Sequence, residues 1–145
     1  MRILLLRLAF GVVCFAFLLA GGAPATAESI TYEADLDGKS EVPPNGSKGA
    51  GTVAAIFDTA SMKLTWTVAY AGLTGPATAA HFHGPAKPDE NAGPAITLSA
   101  PLTSPIKGEA TLTKTQADEL AKGLWYLNVH TAAHPPGEIR GQLVK

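Results

Sequence analysis

The sequence predicts an all-β fold, an antiparallel sandwich or barrel built from short strands. Three observations predict it: apolar and polar residues alternate in several short segments, turn-forming residues separate these segments about every ten residues, and only one stretch carries helix signals. The predicted strands are residues 30–36, 51–58, 63–70, 78–83, 95–99, 107–112, 124–130 and 138–144.

The individual elements follow from side-chain alternation and from capping residues. Alternation is clearest in residues 63–70, where Leu64, Trp66 and Val68 share one face. One short helix fits between Thr115 and Gly123, because Thr115 can cap it and glycine commonly ends helices. The same alternation predicts a core that includes Phe57, Leu64, Trp66, Val68, Phe82, Trp125, Leu127 and Val129.

The first 27 residues have the features of a secretory signal peptide. Arg2 and Arg7 precede a long apolar run, and Ala25-Thr26-Ala27 forms a small-x-small cleavage signal. The alternative interpretation is an uncleaved membrane anchor. We expect cleavage after Ala27, which leaves residues 28–145 as a single domain that is periplasmic or secreted and has no membrane attachment.

Charge and cysteine content narrow the functions open to the domain. Removing the signal peptide takes two of the 11 Lys and Arg residues and none of the 12 Asp and Glu residues, leaving a net charge of −3. The remaining residues contain no basic patch, so the sequence does not indicate a nucleic-acid partner. The only cysteine, Cys14, leaves with the signal peptide, so any metal must be bound by nitrogen and oxygen. No pattern indicates an oligomeric state.

The four histidines of the chain fall in two short clusters near predicted strand ends. In the fourth strand Phe82 is the natural core residue, so His81 and His83 face the other side of the sheet. Two imidazoles at positions i and i+2 can tilt toward one ion, which predicts a metal site. The alternative is that they are solvated surface histidines.

The second cluster can supply further ligands. His130 faces outward in the strand 124–130 and becomes a third ligand if the two strands adjoin. His134 lies in a Pro-rich loop that could fold it back as a fourth ligand. Arg140 faces the same outer surface; it could interact with an anion there or form a salt bridge with Glu138 or another acid. The ligand spacing does not distinguish copper from zinc, because imidazole suits both.

Four blocks of the sequence resemble the CHRD domain, which is named for its repeats in chordin and is frequent in exported bacterial proteins. The resemblance covers nearly all of residues 30–145 and implies a single CHRD β-sandwich domain. It also implies the alternative function of an adhesive or matrix binding module without metal. The blocks are Leu36-Asp37-Gly38 with Glu41-Val42-Pro43-Pro44, His81-x-His83-Gly84-Pro85-Ala86, residues 124–131, and residues 137–143.

A second set of motifs is similar to the copper-zinc superoxide dismutases. Gly72-Leu73-Thr74 precedes the His81-x-His83 strand, and a later strand ends in Val129-His130. This resemblance implies a Greek-key β-sandwich or barrel of the superoxide-dismutase-like, immunoglobulin-like kind. It also implies that His81, His83 and His130 bind copper and that Arg140 guides the superoxide anion to the metal.

The chain departs from those enzymes in the region that holds their zinc. Residues 87–97 contain no histidine, which implies that the zinc half is lost and that one copper ion is bound per chain, with His134 as the candidate fourth ligand. Zinc is less expected because it is redox-silent and cannot transfer electrons. The implied function is a copper-only superoxide dismutase, and the alternative is a non-catalytic periplasmic copper carrier or buffer.

Overall fold

A computed structural model describes residues 27–145, and the predicted signal peptide (residues 1–27) falls almost wholly outside them. All eight predicted strands are present, with ends that differ by a few residues from the prediction. The elements are β1 (Ser29–Asp37), β2 (Ala50–Asp58), β3 (Lys63–Ala71), β4 (Ala77–His83), β5 (Pro94–Thr97), β6 (Ile106–Thr111), α1 (Lys114–Ala121), β7 (Tyr126–Thr131) and β8 (Ile139–Gln142).

The strands form one antiparallel sheet in the order β5-β4-β7-β8-β1-β2-β3-β6, curled into a nearly closed barrel. This architecture confirms the predicted all-β class with one short helix. β5, β6 and α1 separate β4 from β7 in sequence, but β4 and β7, which carry His81, His83 and His130, are hydrogen-bonded neighbours in the sheet. The adjacency required for the predicted site is therefore present.

The barrel interior is filled by the alternate residues predicted for it. All eight predicted core residues are buried, and Trp66 is the most exposed of them at 7%. The Trp66 ring meets Phe82 edge to face at 5.3 Å, and Phe82 lies 6.2 Å from the Trp125 ring. Because Phe82, Leu127 and Val129 point inward, their neighbours in β4 and β7 must point to the outer face.

The helix begins two residues earlier than predicted. Its N-cap is Thr113, not Thr115, because Thr113 and Gln116 form a reciprocal capping box that Thr115 and Asp118 do not make. Leu120 is the helical residue buried against the core. Within residues 27–145, no helix has the length and apolar character needed to cross a membrane.

Two loops cover much of the outer face of β4, β7 and β8, which the sequence analysis did not predict. These outer loops comprise residues 38–49 and 84–93, and Asn91 Nδ2 joins them by donating to the Val42 carbonyl at 2.7 Å. The residues beneath face outward as predicted but are buried: Tyr126, Asn128, His130, Glu138 and Arg140.

The core assignment predicts which single truncations destabilise the domain. Phe82→Ala or Trp125→Ala should each lower the free energy of unfolding by about 3–5 kcal/mol, because each removes a fully buried aromatic ring. Urea unfolding of residues 28–145 measures the change. Ile56→Ala is the control, since Ile56 is 47% exposed and should alter stability by about 0.5 kcal/mol or less. Equal effects at all three positions would contradict the assigned strand faces.

Candidate metal centre

The register between β4 and β7 brings three histidines together on the outer face. His81 lies opposite Asn128, and His83 lies opposite Tyr126. His130 lies opposite Ala79, next to a register shift between Ala77 and Ala79. Since β-bulges locally redirect side chains, this irregularity helps to set the direction in which His130 points.

The three imidazoles form a compact group. One ring nitrogen from each of His81, His83 and His130 lies within 4.8 Å of the other two. The ring centroid of His81 lies 5.3 Å from that of His83 and 5.0 Å from that of His130. In residues 27–145 no other group of three or more potential ligands is arranged in this way.

Backbone carbonyls orient two of the rings. The Nδ1 of His83 lies 2.9 Å from the Ala92 carbonyl oxygen, and the Nδ1 of His130 lies 2.8 Å from the Pro135 carbonyl oxygen. A carbonyl oxygen can only accept, so each Nδ1 must carry the proton in the neutral ring. Each Nε2 is therefore left with a free lone pair, which is the form of imidazole that binds a metal.

The remaining polar atoms of the group fit a metal ion. The Nε2 of His83 is buried and has no hydrogen-bond partner; of the five such side-chain atoms in residues 27–145, it is the only one on a histidine. The Nδ1 of His81 lies 3.1 Å from the Nε2 of His130, so in the metal-free protein a single His81 proton joins these two rings. A cation that replaces this proton would satisfy all three nitrogens.

Burial favours the neutral form of all three rings. Desolvation lowers the pKa of His81, His83 and His130 below the ordinary value of 6.5. The proximity of His130 lowers the pKa of His81 further, and for His83 the neighbouring charges act in the same direction. The carbonyl hydrogen bonds oppose this effect at His83 and His130 but do not reverse it. Neutral, metal-competent imidazoles therefore persist below pH 6.5.

His134, the predicted fourth ligand, is not part of the group. It lies in the turn between β7 and β8, where its backbone nitrogen donates to the Thr131 carbonyl oxygen at 3.2 Å. Its carbonyl accepts from Gly137 at 3.1 Å. The structure brings together His81, His83 and His130 only, which is a three-histidine centre.

Arg140 lies on the predicted face, but its surroundings differ from those of a solvent-facing cation. The residue is only 1% exposed. Its guanidinium carbon lies 3.5 Å from the centroid of the Tyr126 ring, and its nitrogens donate to the loop that follows β4. Among residues 27–145 no carboxylate lies within salt-bridge distance of it.

Glu138 is bound by donors other than Arg140. Its carboxylate accepts hydrogen bonds from the Ser47 hydroxyl, the Thr131 hydroxyl, and both the hydroxyl and the backbone nitrogen of Thr74. Burial disfavours the charged form, but these four hydrogen bonds outweigh it and lower the pKa of Glu138 to about 2. This carboxylate therefore stabilises the fold between β8 and the flanking loops.

A second buried carboxyl lies beside the centre. Glu41 is 7% exposed and accepts from Asn128 Nδ2 at 2.8 and 3.0 Å. Burial raises its pKa to about 7, against the opposing effects of Arg140 and Asn128. Gly137 permits this contact: its φ is +148°, and a Cβ there would lie 2.5 Å from Glu41 Oε1.

Several contributors to the centre could not be identified from the sequence. Tyr126 lies on the outer face, but nothing in the sequence of its strand indicates that its ring stacks on His83, with centroids 4.8 Å apart and planes 2° apart. The contacts made by the carbonyl groups of Ala92 and Pro135 cannot be predicted from residue type, because every residue has a backbone carbonyl. The Gly-Pro dipeptide after His83 indicates a turn but not which carbonyl it presents.

Residues 32–143 match the family model of the CHRD domain, and the chain belongs to this family. The predicted family is therefore confirmed over most of the described residues. No curated protein and no solved structure matches the chain.

The environment of Glu138 predicts an acid-dependent contribution to stability. Its folded pKa is about 2 against an ordinary 4.5, so the stabilisation is complete above pH 4.5 and is lost as the pH falls toward 2. Glu138→Gln should lower the free energy of unfolding by about 1–3 kcal/mol at pH 7, since the amide nitrogen cannot accept the hydrogen bonds that a carboxylate oxygen accepts.

Urea titrations of both proteins between pH 7 and pH 2 measure how this difference shrinks. Glu33→Gln on β1 is the matched control, because Glu33 is exposed and should have little effect at any pH. A difference between wild type and Glu138→Gln that does not change with pH would contradict the assignment.

Proposed function

We propose that this CHRD domain is an exported copper-binding protein with a mononuclear site formed by His81, His83 and His130. The observation that carries the proposal is the buried, unpartnered Nε2 of His83, which points to a ligand of the three-histidine centre. The proposal of export depends on the predicted signal peptide, and it implies that the protein is periplasmic or secreted.

Copper is favoured over zinc by the chemistry of the donors. Sites made of imidazole nitrogen accept either ion, but for a given site copper(II) binds more tightly than zinc in the general order of divalent-metal affinities. The centre contains no thiolate and no carboxylate ligand within residues 27–145 that would alter this preference. One ion per chain is expected, because no second group of ligands is present in those residues.

Superoxide dismutation is the second candidate function, and one observation favours it. The structure supplies only three imidazoles and leaves His81 partly exposed, so a small anion could approach the centre. Bound copper would supply the redox chemistry by alternating between two oxidation states, which zinc cannot do. The residues of the chain would hold the metal and keep one side of it accessible. A copper carrier or buffer needs the same ligands without that access.

Copper binding can be tested on untagged residues 28–145, since a histidine tag would add ligands. We expect one tightly bound copper ion per chain in a chelator-competition titration at pH 7, with tighter binding than zinc. His81→Ala, His83→Ala and His130→Ala should each abolish tight binding. Affinity should fall as the pH drops below about 6, because protonated imidazole cannot bind a metal.

His134→Ala is the matched control, because it removes a histidine that lies outside the centre. It should retain most of the copper affinity. Two tightly bound copper ions per chain would contradict a mononuclear centre. Wild-type affinity in a His81→Ala, His83→Ala double variant would show that these residues are surface histidines without a metal function.

A steady-state assay of superoxide consumption separates the enzyme from the carrier. Copper-loaded wild type should consume superoxide faster than an equal concentration of free copper does. The His81→Ala, His83→Ala double variant should not be faster than free copper. A guiding role for Arg140 stays a prediction, and the assay tests it through salt: a rate that falls with added salt supports electrostatic attraction of the anion. If copper-loaded wild type shows no activity, the dismutase function is wrong and the copper carrier or buffer is the remaining function.

A further inference from the structure

The guanidinium of Arg140 binds the loop that follows β4. NH1 donates to Asn91 Oδ1 at 2.8 Å, and NH2 donates to the Glu90 carbonyl at 2.7 Å. Longer contacts reach the carbonyls of Pro88 at 3.2 Å and Lys87 at 3.3 Å. Residues 87–91 are themselves exposed, so few packing contacts hold them in place. The hydrogen bonds from the buried Arg140 side chain therefore help to fix their conformation.

Tyr126 connects Arg140 to a proposed metal ligand. Strand β7 lies between β4 and β8, so the Tyr126 ring is enclosed by the His83 imidazole on one side and the Arg140 guanidinium on the other. The Tyr126 hydroxyl also accepts from the backbone nitrogen of Ala92 and donates to its carbonyl oxygen, both at 3.2 Å. The residue that follows the anchored segment is therefore fixed as well.

The Ala92 carbonyl is the group that accepts from His83 Nδ1 at 2.9 Å. We propose that Arg140 is a positioning residue: together with Tyr126 it holds the Ala92 carbonyl where it fixes the ring orientation and the Nδ1–H tautomer of His83. The consequence for copper rests on the proposed function, whereas the positioning of the ring does not. In this proposal Arg140 acts on the metal centre through the loop and the tyrosine.

The chemistry of arginine suits this role. Its planar guanidinium offers five donors in a fixed fork and stacks on aromatic rings, so it can bind several carbonyl groups and the Tyr126 face at once. A lysine ammonium has three donors and no planar face. Partners that orient a metal-binding histidine through its second nitrogen typically affect metal affinity by about 10–100-fold.

The test compares Arg140→Ala and Arg140→Lys with Gln142→Ala as the matched control. Gln142 is two residues along the same strand and donates to the carbonyls of Ala86 and Gly123, but it does not contact Ala92. Nitrogen-15 NMR of the metal-free proteins reports the tautomer of the His83 ring. Chelator competition reports copper affinity, and electron paramagnetic resonance reports the copper(II) ligand field.

Wild type and Gln142→Ala should show one His83 tautomer, protonated at Nδ1, and equal copper affinities. Arg140→Ala should show mixed tautomers, an altered copper(II) spectrum and copper affinity about 10–100-fold lower, with partial recovery in Arg140→Lys. A folded Arg140→Ala protein with wild-type ring shifts and wild-type affinity would overturn the proposal.

Two further outcomes are also decisive. If Arg140→Ala does not fold, Tyr126→Phe takes its place, since it keeps the ring stack and removes the hydroxyl contacts to Ala92; unchanged His83 ring shifts in that variant would overturn the proposal. If wild type binds no copper, the proposed function fails, and the ring shifts of the metal-free proteins still decide whether Arg140 positions His83.

Discussion

The antiparallel pairing of β4 with β7 is the constraint on which the rest of this structure depends. It joins two segments separated by more than forty residues of chain, and its register decides which side chains meet. On the inner face it places Phe82 and Leu127 in the core. On the outer face the same register gathers the three histidines. Because side chains alternate along a strand, a shift of one residue would exchange the two faces and lose both the core and the centre.

Placing the centre under loops has a consequence for its polar groups. Buried polar atoms are costly unless they are hydrogen-bonded, and the outer face of β7 and β8 carries an amide, a guanidinium and a carboxylate out of contact with water. The outer loops supply most of the partners: Ser47 for Glu138, Glu41 for Asn128, and the 87–91 carbonyls for Arg140. Loop conformation and side-chain burial therefore depend on each other, and the histidine rings are oriented as part of the same network.

Sequence patterns predicted the sheet and the faces of its strands, because alternation is a local property that directly reports which residues are buried. Phe82 between two histidines was sufficient to send both imidazoles outward. The same patterns could not predict that the outer face would be covered, because that depends on contacts between residues far apart, such as Asn45 with Gly137 and Asn91 with Val42. The hydrogen bonds from Arg140 to the loop after β4 could not be predicted for a related reason: its partners are mostly backbone carbonyls, which every residue has.

Under the proposed function, the unpartnered Nε2 of His83 would link the stability of the fold to metal binding. A buried acceptor without a donor costs about 1–3 kcal/mol in the metal-free fold, and an ion at this nitrogen removes that cost. A ligand that binds only the folded state stabilises it in proportion to the logarithm of its concentration relative to the dissociation constant. The hydrophobic core lies on the opposite face of β4 and β7 from this centre, and carbonyl contacts orient the His83 and His130 rings independently of any metal. If the centre binds a metal as proposed, ligands held in this way would lose little conformational entropy on binding.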